Sequence, residues 1–473
     1  MRPALRPLPR WLALGLLAAC HHGPSGSDAA QGGSTTPSAT GSTATPCPAS
    51  SADPCLAASG SPTAGPSASA CPCRPGPAAP TEPLLARTLR VSEPALGRFF
   101  DDAATLRLQI LVTTVPPGGG PWATYGYRVD AEYFYPASAI KTFLAVAALR
   151  SMSKRAGGDI PPMTRIERCV DGHPDCDPPE VDEDDEESAD AGAPTEAPSP
   201  DGKDADKRKK HKKLRVGEEI QKLLSFSDND SYNRLFDIVG HRELNEQMAE
   251  LGYGSVRFHH RMDTPAERSR RTLRVLLLPP GKRAIEIPAR TSDFEPAPSP
   301  ATDLLIGTGY HDGNRLIEEP MSFSRKNYVS LRELQRLNRA LLFPEQEAGP
   351  PLGLSDKQRA LILGAMTAKL GPERRVAEHY PLSPGVLDVL PADRVRYVAK
   401  SGRAYGFHLD NAYLEDRVSG RALFVTVTVY ANPKGVLNTD DYGYDEISRP
   451  LLRALGAALT RTFLLADPPP PEP

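Results

Sequence analysis

Tyr135-Pro136-Ala137-Ser138-Ala139-Ile140-Lys141 is the stretch on which the fold and the chemistry of this chain depend. The apolar residues 142–149 follow it, so the pattern predicts a buried helix that begins near Pro136. Residues at i and i+3 share one helix face, which places Ser138 above Lys141. A buried lysine can take the proton of a serine hydroxyl, and a helix N-terminus offers N–H groups to an oxyanion. Taken alone, Ser-x-x-Lys is a weak signal.

The triplet Ser227-Asp228-Asn229 is a second candidate and lies between two helical patterns. Residues 216–224 predict the helix before it, and an apolar side made of Leu235, Phe236, Ile238 and Val239 predicts the helix after it. All three residues of the triplet favour turns and helix N-caps, which explains them structurally without any function. The functional hypothesis gives Ser227 a proton-relay role and Asn229 a contact with a substrate amide.

Lys400-Ser401-Gly402 is the third candidate, within a strand predicted over residues 396–403. Two more strands are predicted near residues 411–414 and 421–429, and an amphipathic helix over 445–463. A lysine on a strand is usually a solvated edge residue. Here a small hydroxyl residue and a glycine follow it, and they would let a ligand lie close against the backbone.

The region before Ser138 predicts a helix and a hairpin. Residues 84–104 have helical spacing, and the apolar residues 106–115 predict a strand. Residues 116–120, with two prolines and three glycines, predict the turn to a second strand over residues 122–129.

The three triplets occur in one order, and together they resemble the motif set of penicillin-recognising serine enzymes. Residues 134–138 resemble the run before the nucleophile in class A β-lactamases. Asn233, Leu235 and Gly240 after the second triplet resemble the helix that follows it there. The resemblance covers about residues 85–465. It implies an α+β fold with an antiparallel five-stranded sheet flanked by helices, a mostly helical lobe, and an active site between them.

The resemblance also implies roles for the residues on the helical side of that site. Ser138 would be the acylated nucleophile and Lys141 its base. Ser227 would pass a proton to the leaving nitrogen, and Asn229 would hold the acyl side chain of the substrate.

On the strand side, Lys400 and Ser401 would bind the substrate carboxylate, Lys400 counting among the catalytic groups. The backbone N–H groups of Ser138 and Arg403 would form the oxyanion hole, with Gly402 allowing the close approach. The family more often has threonine where this chain has Ser401, a mild change that keeps the hydroxyl.

The larger departure from the family concerns the base for deacylation. Class A β-lactamases carry a glutamate, typically in Glu-x-x-Leu-Asn, that activates water, and no such pentad occurs in the expected region. Glu243 lies too early, and Glu319 lacks the Leu-Asn that should follow. Glutamates near a helix start are commonly favourable N-terminal charges, so Glu319 is a weak candidate.

Three hypotheses follow for the function. The first is a serine hydrolase of the class A type that hydrolyses or binds β-lactams. The second is a D-Ala-D-Ala peptidase, or another cell-wall amidase or esterase, with the same acyl-enzyme chemistry. The third is a non-catalytic envelope binding module, which the presence of Ser138, Lys141, Ser227 and Lys400 argues against.

Residues 1–20 predict an export signal, with three arginines, a short apolar run and Leu17-Ala18-Ala19 before Cys20. This run resembles a bacterial lipoprotein box, which implies cleavage before Cys20 and lipid on its thiol. The alternative is an ordinary signal peptide that includes a cysteine. We expect a membrane-anchored protein on the periplasmic side, and His21 suggests the outer membrane by analogy with other lipoproteins.

Three further segments are expected to lack a packed core. Residues 21–83 are rich in Ser, Pro, Gly and Ala and predict a disordered tether, whose four cysteines have no readable pairing. Residues 168–213 predict a charged disordered insertion, with Cys169 and Cys176 close enough to form a disulfide at its root. Residues 467–473 form a Pro-rich tail, so the hydrolase domain is placed at 84–466.

The net charge, the histidines and the cysteines indicate few binding partners. A net charge of −3 argues for neither a nucleic-acid nor an anionic-membrane partner. We expect a monomer without a cofactor or nucleic acid that binds a small β-lactam-like or D-Ala-D-Ala-like substrate. His259, His260 and His311 do not have metalloprotease spacing, so no metal site is predicted. Four cysteines in the tether lack a neighbouring histidine, which disfavours a metal there as well.

Overall fold

The computed structural model of the chain describes residues 83–169, 214–264, 268–467 and 469–470. Its strands are β1 Gln109–Val115, β2 Ala123–Tyr127, β3 Arg165–Cys169, β4 Leu214–Arg215, β5 Arg271–Thr272, β6 Arg274–Leu278, β7 Ile285–Ile287, β8 Arg290–Thr291, β9 Leu305–Ile306, β10 Gly309–Asp312, β11 Arg315–Ile317, β12 Met321–Ser322, β13 Val395–Ala399, β14 Gly402–Ala404, β15 Phe407–Asp416, β16 Ala422–Tyr430 and β17 Val436–Leu437.

Eleven α-helices of the described residues precede, connect or follow these strands. They are α1 Leu84–Ser92, α2 Gly97–Asp101, α3 Lys141–Ala156, α4 Val216–Ser225, α5 Asn229–Val239, α6 His241–Glu250, α7 Leu331–Leu342, α8 Asp356–Met366, α9 Arg374–His379, α10 Ser383–Leu387 and α11 Arg449–Leu459. Short 3-10 turns cover Pro94–Leu96, Ala137–Ile140 and Ala392–Arg394, and π-helical turns flank α11 at Tyr444–Ser448 and Thr460–Leu464.

The principal sheet has the strand order β13-β15-β16-β1-β2, and every neighbouring pair is antiparallel. β14 pairs with β15 beyond the end of β13, so β13 and β14 form one edge that is interrupted at Lys400 and Ser401. The predicted α+β fold with an antiparallel five-stranded sheet is therefore confirmed. The interruption was not predicted, and it leaves Lys400 and Ser401 outside both strands while Gly402 begins β14.

Apolar residues on the two faces of this sheet belong to two hydrophobic clusters. Leu409 and Tyr413 of β15 belong to the cluster that contains α3 and α7, whereas Ala412 and Leu414 belong to the cluster that contains α1 and α11. This alternation follows from the two-residue period of a strand. α3 is buried along almost its whole length, so it holds the residues just before it firmly in place.

A second sheet has the strand order β4-β3-β6-β7, and Val275 and Leu277 of β6 belong to the same hydrophobic cluster as α3. Its central strand β6 contains the apolar residues 276–278, and it pairs antiparallel with β3 and β7. The sequence pattern did not predict this sheet. Strands of two to five residues among prolines have too few positions to establish a period.

Two predicted boundaries change. The helix predicted over residues 84–104 is interrupted after Ser92, because Pro94 has no N–H and holds Glu93 in an extended conformation. The insertion was predicted from Arg168, but Arg168 and Cys169 belong to β3, and Arg168 forms an ion pair with buried Asp237.

Several predictions fall outside the described residues. They are the signal at 1–20 with Cys20, the tether up to residue 82, Cys176, the insertion over 170–213 and the end of the tail from 471. In the part of the chain that the structure describes, no helix is both long enough and apolar enough to cross a membrane.

Candidate active site

Ser138 lies in the 3-10 turn Ala137–Ile140, immediately before α3. The prediction of a helix start is therefore confirmed, although the first turn is narrower than an α-helix. Ala137 has a φ of 45°, an unusual left-handed conformation for a residue with a side chain. Ser138 is half-buried, and within the described residues its hydroxyl makes no hydrogen bond. The hydroxyl is therefore available to a substrate.

Gly402 lies directly against this turn. A Cβ atom at Gly402 would come within 3.0 Å of the Ser138 nitrogen and would meet the Pro136 carbonyl even more closely. Only glycine allows the two backbones to approach this far. The contact brings the N–H group of Ser138 beside β14, where the N–H group of Arg403 follows one residue later.

Lys141 is fully buried one turn below Ser138. Its Nζ donates to the Ser227 carbonyl at 2.5 Å, to Asn229 Oδ1 at 2.5 Å and to Ser227 Oγ at 3.4 Å. Burial lowers the pKa of Lys141 to about 8, while the charges of Asp228 and Asp263 limit the decrease. The first two motifs are thus in direct contact, and Lys141 can lose its proton near neutral pH.

Lys400 reaches the same hydroxyl from the sheet. Its Nζ donates to Ser227 Oγ at 3.0 Å and to the Ser401 carbonyl at 3.0 Å. Burial, and then the positive charge of Lys141, lower the pKa of Lys400 well below its usual value. Ser227 itself has a φ of 56°, a strained conformation that places its hydroxyl between the two ammonium groups.

Asn229 connects Lys141 to an acidic residue that the sequence patterns did not indicate. Its Nδ2 donates to Asp263 Oδ2 at 2.6 Å, while its Oδ1 accepts from Lys141. Asp263 has a φ of 47°, so its carboxylate is held by an unusual backbone conformation. The pattern Glu-x-x-Leu-Asn does not identify this residue, because Asp263 is a shorter acid in a different local sequence.

Three asparagines hold the segment that leads to Asp263, which we call the Asp263 loop (residues 258–263). Asn245 of α6 exchanges two hydrogen bonds with the backbone of Phe258. Asn327 accepts from the N–H groups of His259 and His260 and donates to the His260 carbonyl. Asn233 of α5 exchanges two hydrogen bonds with the backbone of Met262. An irregular loop near buried groups needs such partners for its polar backbone.

The Asp263 loop is also held by a buried ion pair. The Arg261 guanidinium pairs with Asp237, whose carboxylate also pairs with Arg168 of β3 and accepts from the Leu273 N–H. Asp237 is fully buried in α5 and therefore joins the helix after the second motif to both sides of the loop. No sequence signal pointed to this carboxylate.

The structure places Ser401 and Arg403 beside the site in ways that the sequence did not define. The Ser401 hydroxyl donates to the His379 carbonyl at 2.7 Å. A hydroxyl has one proton, so in this arrangement Ser401 has none left for a substrate carboxylate. The Arg403 guanidinium is exposed and lies 5.3 Å from the centre of the Tyr444 ring.

The remaining candidates do not join this cluster. Glu319 is exposed and forms no ion pair or hydrogen bond within the described residues. His259 and His260 belong to the Asp263 loop, and the main-chain carbonyl of His311 accepts from Asn438 Nδ2. In the described part of the chain, no three residues among histidines, cysteines and acids form a group that could hold a metal.

A family model described as the beta-lactamase enzyme family matches residues 198–463, which is more than half of the 473 residues. The match includes Ser227, Asn229 and residues 400–403 but begins after Ser138 and Lys141. Comparison with curated proteins gives no significant match.

The chain is also similar to solved structures at low sequence identity. One is a β-lactamase from Sphaerobacter thermophilus DSM 20745, at 16% identity over 81% of this chain and 98% of that one, with a TM-score of 0.42. A β-lactamase from Desulfarculus baarsii DSM 2075 has 17% identity over 79% of this chain and 98% of that one, also with a TM-score of 0.42. A class A β-lactamase from Clostridium kluyveri DSM 555 has 12% identity over 77% of this chain and 97% of that one, again with a TM-score of 0.42.

Proposed function

The chain belongs to the beta-lactamase enzyme family, and from that premise we propose that it is a serine hydrolase that is acylated at Ser138 and opens β-lactam rings. The observation that carries the proposal is the arrangement of two buried lysines on one hydroxyl. Lys141 and Lys400 both donate to Ser227 Oγ, with Lys141 one turn from Ser138. Neutral lysine and a connected hydroxyl are what serine acylation requires.

In the acylation step, Ser138 Oγ attacks the carbonyl carbon of the lactam and Lys141 takes the hydroxyl proton. The negative charge on the carbonyl oxygen is stabilised by the N–H groups of Ser138 and Arg403. When the C–N bond breaks, Ser227 gives its proton to the leaving nitrogen and is reprotonated from the lysine side. The products of this step are an ester on Ser138 and a protonated amine.

In the deacylation step, a water molecule attacks the ester carbonyl and its proton passes to Asp263. The C–O bond to Ser138 then breaks, and Asp263 returns its proton to Ser138 Oγ, so that the product leaves as a free acid and both groups are restored. The contact of Asp263 with Asn229, and of Asn229 with Lys141, supports this role for the carboxylate. Glu319 has no comparable contact with any described residue, so Asp263 is the better candidate.

The cell-wall peptidase remains the alternative, since it uses the same acylation groups. A base for deacylation favours the β-lactamase, because rapid release of a penicilloyl ester requires one. We also propose that the protein is exported and attached to a membrane by lipid on Cys20, a proposal that rests on the sequence of residues 1–20.

The test is an intact-mass time course of the mature chain mixed with benzylpenicillin. We expect the wild-type adduct to appear and clear while penicilloate accumulates. Ser138→Ala should form no adduct, and Asp263→Asn should form one that persists. Glu319→Gln is the matched control and should behave as the wild type.

Each outcome separates the hypotheses. A wild-type adduct that persists for many minutes would favour the peptidase or a slow binder over the β-lactamase. An Asp263→Asn variant that clears its adduct at the wild-type rate would remove Asp263 as the base. A chain that forms no adduct would exclude acylation by benzylpenicillin.

A further inference from the structure

Lys326 is a half-buried cation that has no acidic partner among the residues that the structure describes. It precedes α7, its Nζ donates to the Tyr405 hydroxyl at 3.1 Å, and it lies 4.9 Å from the centre of the Tyr405 ring. Within the described residues, no carboxylate forms an ion pair with it. A cation that has lost part of its hydration without gaining an opposite charge is poised to bind an anion.

Tyr405 connects this cation to the site of acylation. It follows β14 directly and has a φ of 54°, which turns the chain away from the strand. Its ring contacts the Tyr135 ring with 5.1 Å between centres, and Tyr135 is three residues before Ser138. A substrate on Ser138 that lies along β14 beyond Gly402 therefore extends toward Tyr405 and Lys326.

Lys326, Tyr405 and Tyr135 form one surface, and the Asp263 loop borders it on the other side. Asn327, the residue after Lys326, binds the backbone of His259 and His260, and the His260 ring stacks on Tyr135 with 6.4 Å between centres. Burial, and then the charge of Lys326, lower the pKa of His260 to about 4. The histidine is therefore neutral at pH 7, and Lys326 supplies the charge on this surface.

The donors on this surface suit a carboxylate. The Tyr405 hydroxyl accepts from Lys326 and retains its own proton, and the ammonium group has two further protons. Two donors from separate residues can thus meet the two oxygens of one carboxylate. Lys400 and Ser401 lie before Gly402 on the strand and Tyr405 lies after it, so this surface is separate from the substrate-carboxylate position that the resemblance implies.

We propose that Lys326 and Tyr405 form an anion subsite for the acyl portion of the substrate, so that the enzyme prefers substrates whose acyl side chain carries a carboxylate. This inference rests on the proposed acylation of Ser138. It adds the class of substrate, which the acylation groups by themselves do not determine.

The test compares benzylpenicillin with α-carboxybenzylpenicillin, which differ by one carboxylate on the acyl side chain. We expect Lys326→Gln to lower kcat/KM for the carboxylated compound about tenfold. Its kcat/KM for benzylpenicillin should stay within about twofold of the wild-type value. Arg325→Gln is the matched control, because Arg325 is the exposed neighbouring cation, and it should change neither value. An equal effect of Lys326→Gln on both compounds would overturn the proposal.

A binding measurement tests the subsite without turnover. We expect phenylmalonate to bind the full chain about tenfold more tightly than phenylacetate in an NMR titration, and Lys326→Gln to remove the difference. Equal binding of the two acids to the wild type would overturn the proposal. If phenylmalonate is preferred but neither penicillin acylates Ser138, the anion subsite stands and the proposed function fails.

Discussion

Ser227 Oγ lies between two buried lysines, and this arrangement restricts how many of them are charged. The hydroxyl accepts from Lys400 at 3.0 Å and from Lys141 at 3.4 Å. Burial lowers the pKa of both lysines, and the positive charge of Lys141 lowers the pKa of Lys400 further. A neutral lysine can take a proton while the other holds the hydroxyl in place.

The charge state of Lys141 leads to a pH prediction. If Lys141 is the base with a pKa of about 8, its neutral fraction rises with pH, so acylation should accelerate from about pH 6 to about pH 9. Lys141→Arg should remove this rise and slow acylation by at least about a hundredfold. The measurement is the second-order acylation rate with benzylpenicillin at each pH. A rate that stays constant over this range would contradict the role.

Asp410 permits a stability prediction at the same scale. It is fully buried, Tyr397 donates to Oδ2 at 2.5 Å, and burial raises the pKa of Asp410 from 3.8 to about 7. Because the folded pKa lies above the unfolded one, the contribution to stability is present below pH 3.8 and is lost as the pH rises through about 7. The slope approaches about 1.4 kcal/mol per pH unit between these values.

We therefore expect Asp410→Asn, which keeps an acceptor for Tyr397, to lose less stability than the wild type between about pH 5 and about pH 8. Urea unfolding of both proteins at the two pH values measures the difference. Other titrating groups are the same in both chains, so they cancel in the comparison. Parallel pH dependence would mean that Asp410 titrates alike in the folded and unfolded states.

The Asp263 loop depends on side chains from α5, from α6 and from the residues before α7. Asn327 is fully buried and satisfies two N–H groups and one carbonyl of this loop. Asn327→Ala would leave buried N–H groups without a partner, at a cost of about 1–3 kcal/mol in stability. It would also release the carboxylate of Asp263 from its position.

We expect Asn327→Ala to slow deacylation by about tenfold or more, with acylation within about threefold of the wild type. Pre-steady-state kinetics with benzylpenicillin separates the two steps, and a merely destabilised protein would lose both equally. Asn327→Asp keeps the acceptor for the His259 and His260 N–H groups and should recover part of the deacylation rate. Acylation and deacylation that decrease together would contradict this positioning role.

The contact between β14 and the turn before α3 gives a second prediction for an element. Gly402→Ala would place a Cβ against the Pro136 carbonyl and the Ser138 nitrogen, so the strand must move from the turn. We expect acylation to fall by about a hundredfold while the fold is retained. Gly364→Ala in α8, where a Cβ meets nothing within 4 Å, is the control and should keep full activity. Comparable acylation by both variants would rule out the close approach.

The elements that the sequence predicted are those with a clear period or turn. α4 follows residues 216–224 closely, and the hairpin of β1 and β2 lies within its predicted limits. The interruption at Lys400 and Ser401 could not be predicted, since it depends on the packing of β14 against the turn before α3. Asp263 was missed for a related reason, because its contact with Asn229 comes from tertiary structure.

At the scale of the whole molecule, the candidate site combines two parts of the fold. Ser138, Lys141 and Ser227 come from the helical part, whereas Lys400 and Gly402 come from the edge of the principal sheet. The hydrogen bond from Lys400 to Ser227 and the contact of Gly402 with Ser138 join them. The sequence predicted the members of this cluster through a resemblance, but their distances and protonation required the packed molecule.

Lipid on Cys20 would attach this molecule to a membrane. If lipid is attached to Cys20, each buried methylene contributes about 0.8 kcal/mol to membrane binding, so several acyl chains hold the protein firmly. In a bacterial host fed an alkyne-bearing palmitate, we expect the wild type to be labelled and Cys20→Ser to remain unlabelled. Cys47→Ser is the matched control in the following segment and should be labelled. A labelled Cys20→Ser variant would place the lipid elsewhere, and an unlabelled wild type would favour an ordinary signal peptide.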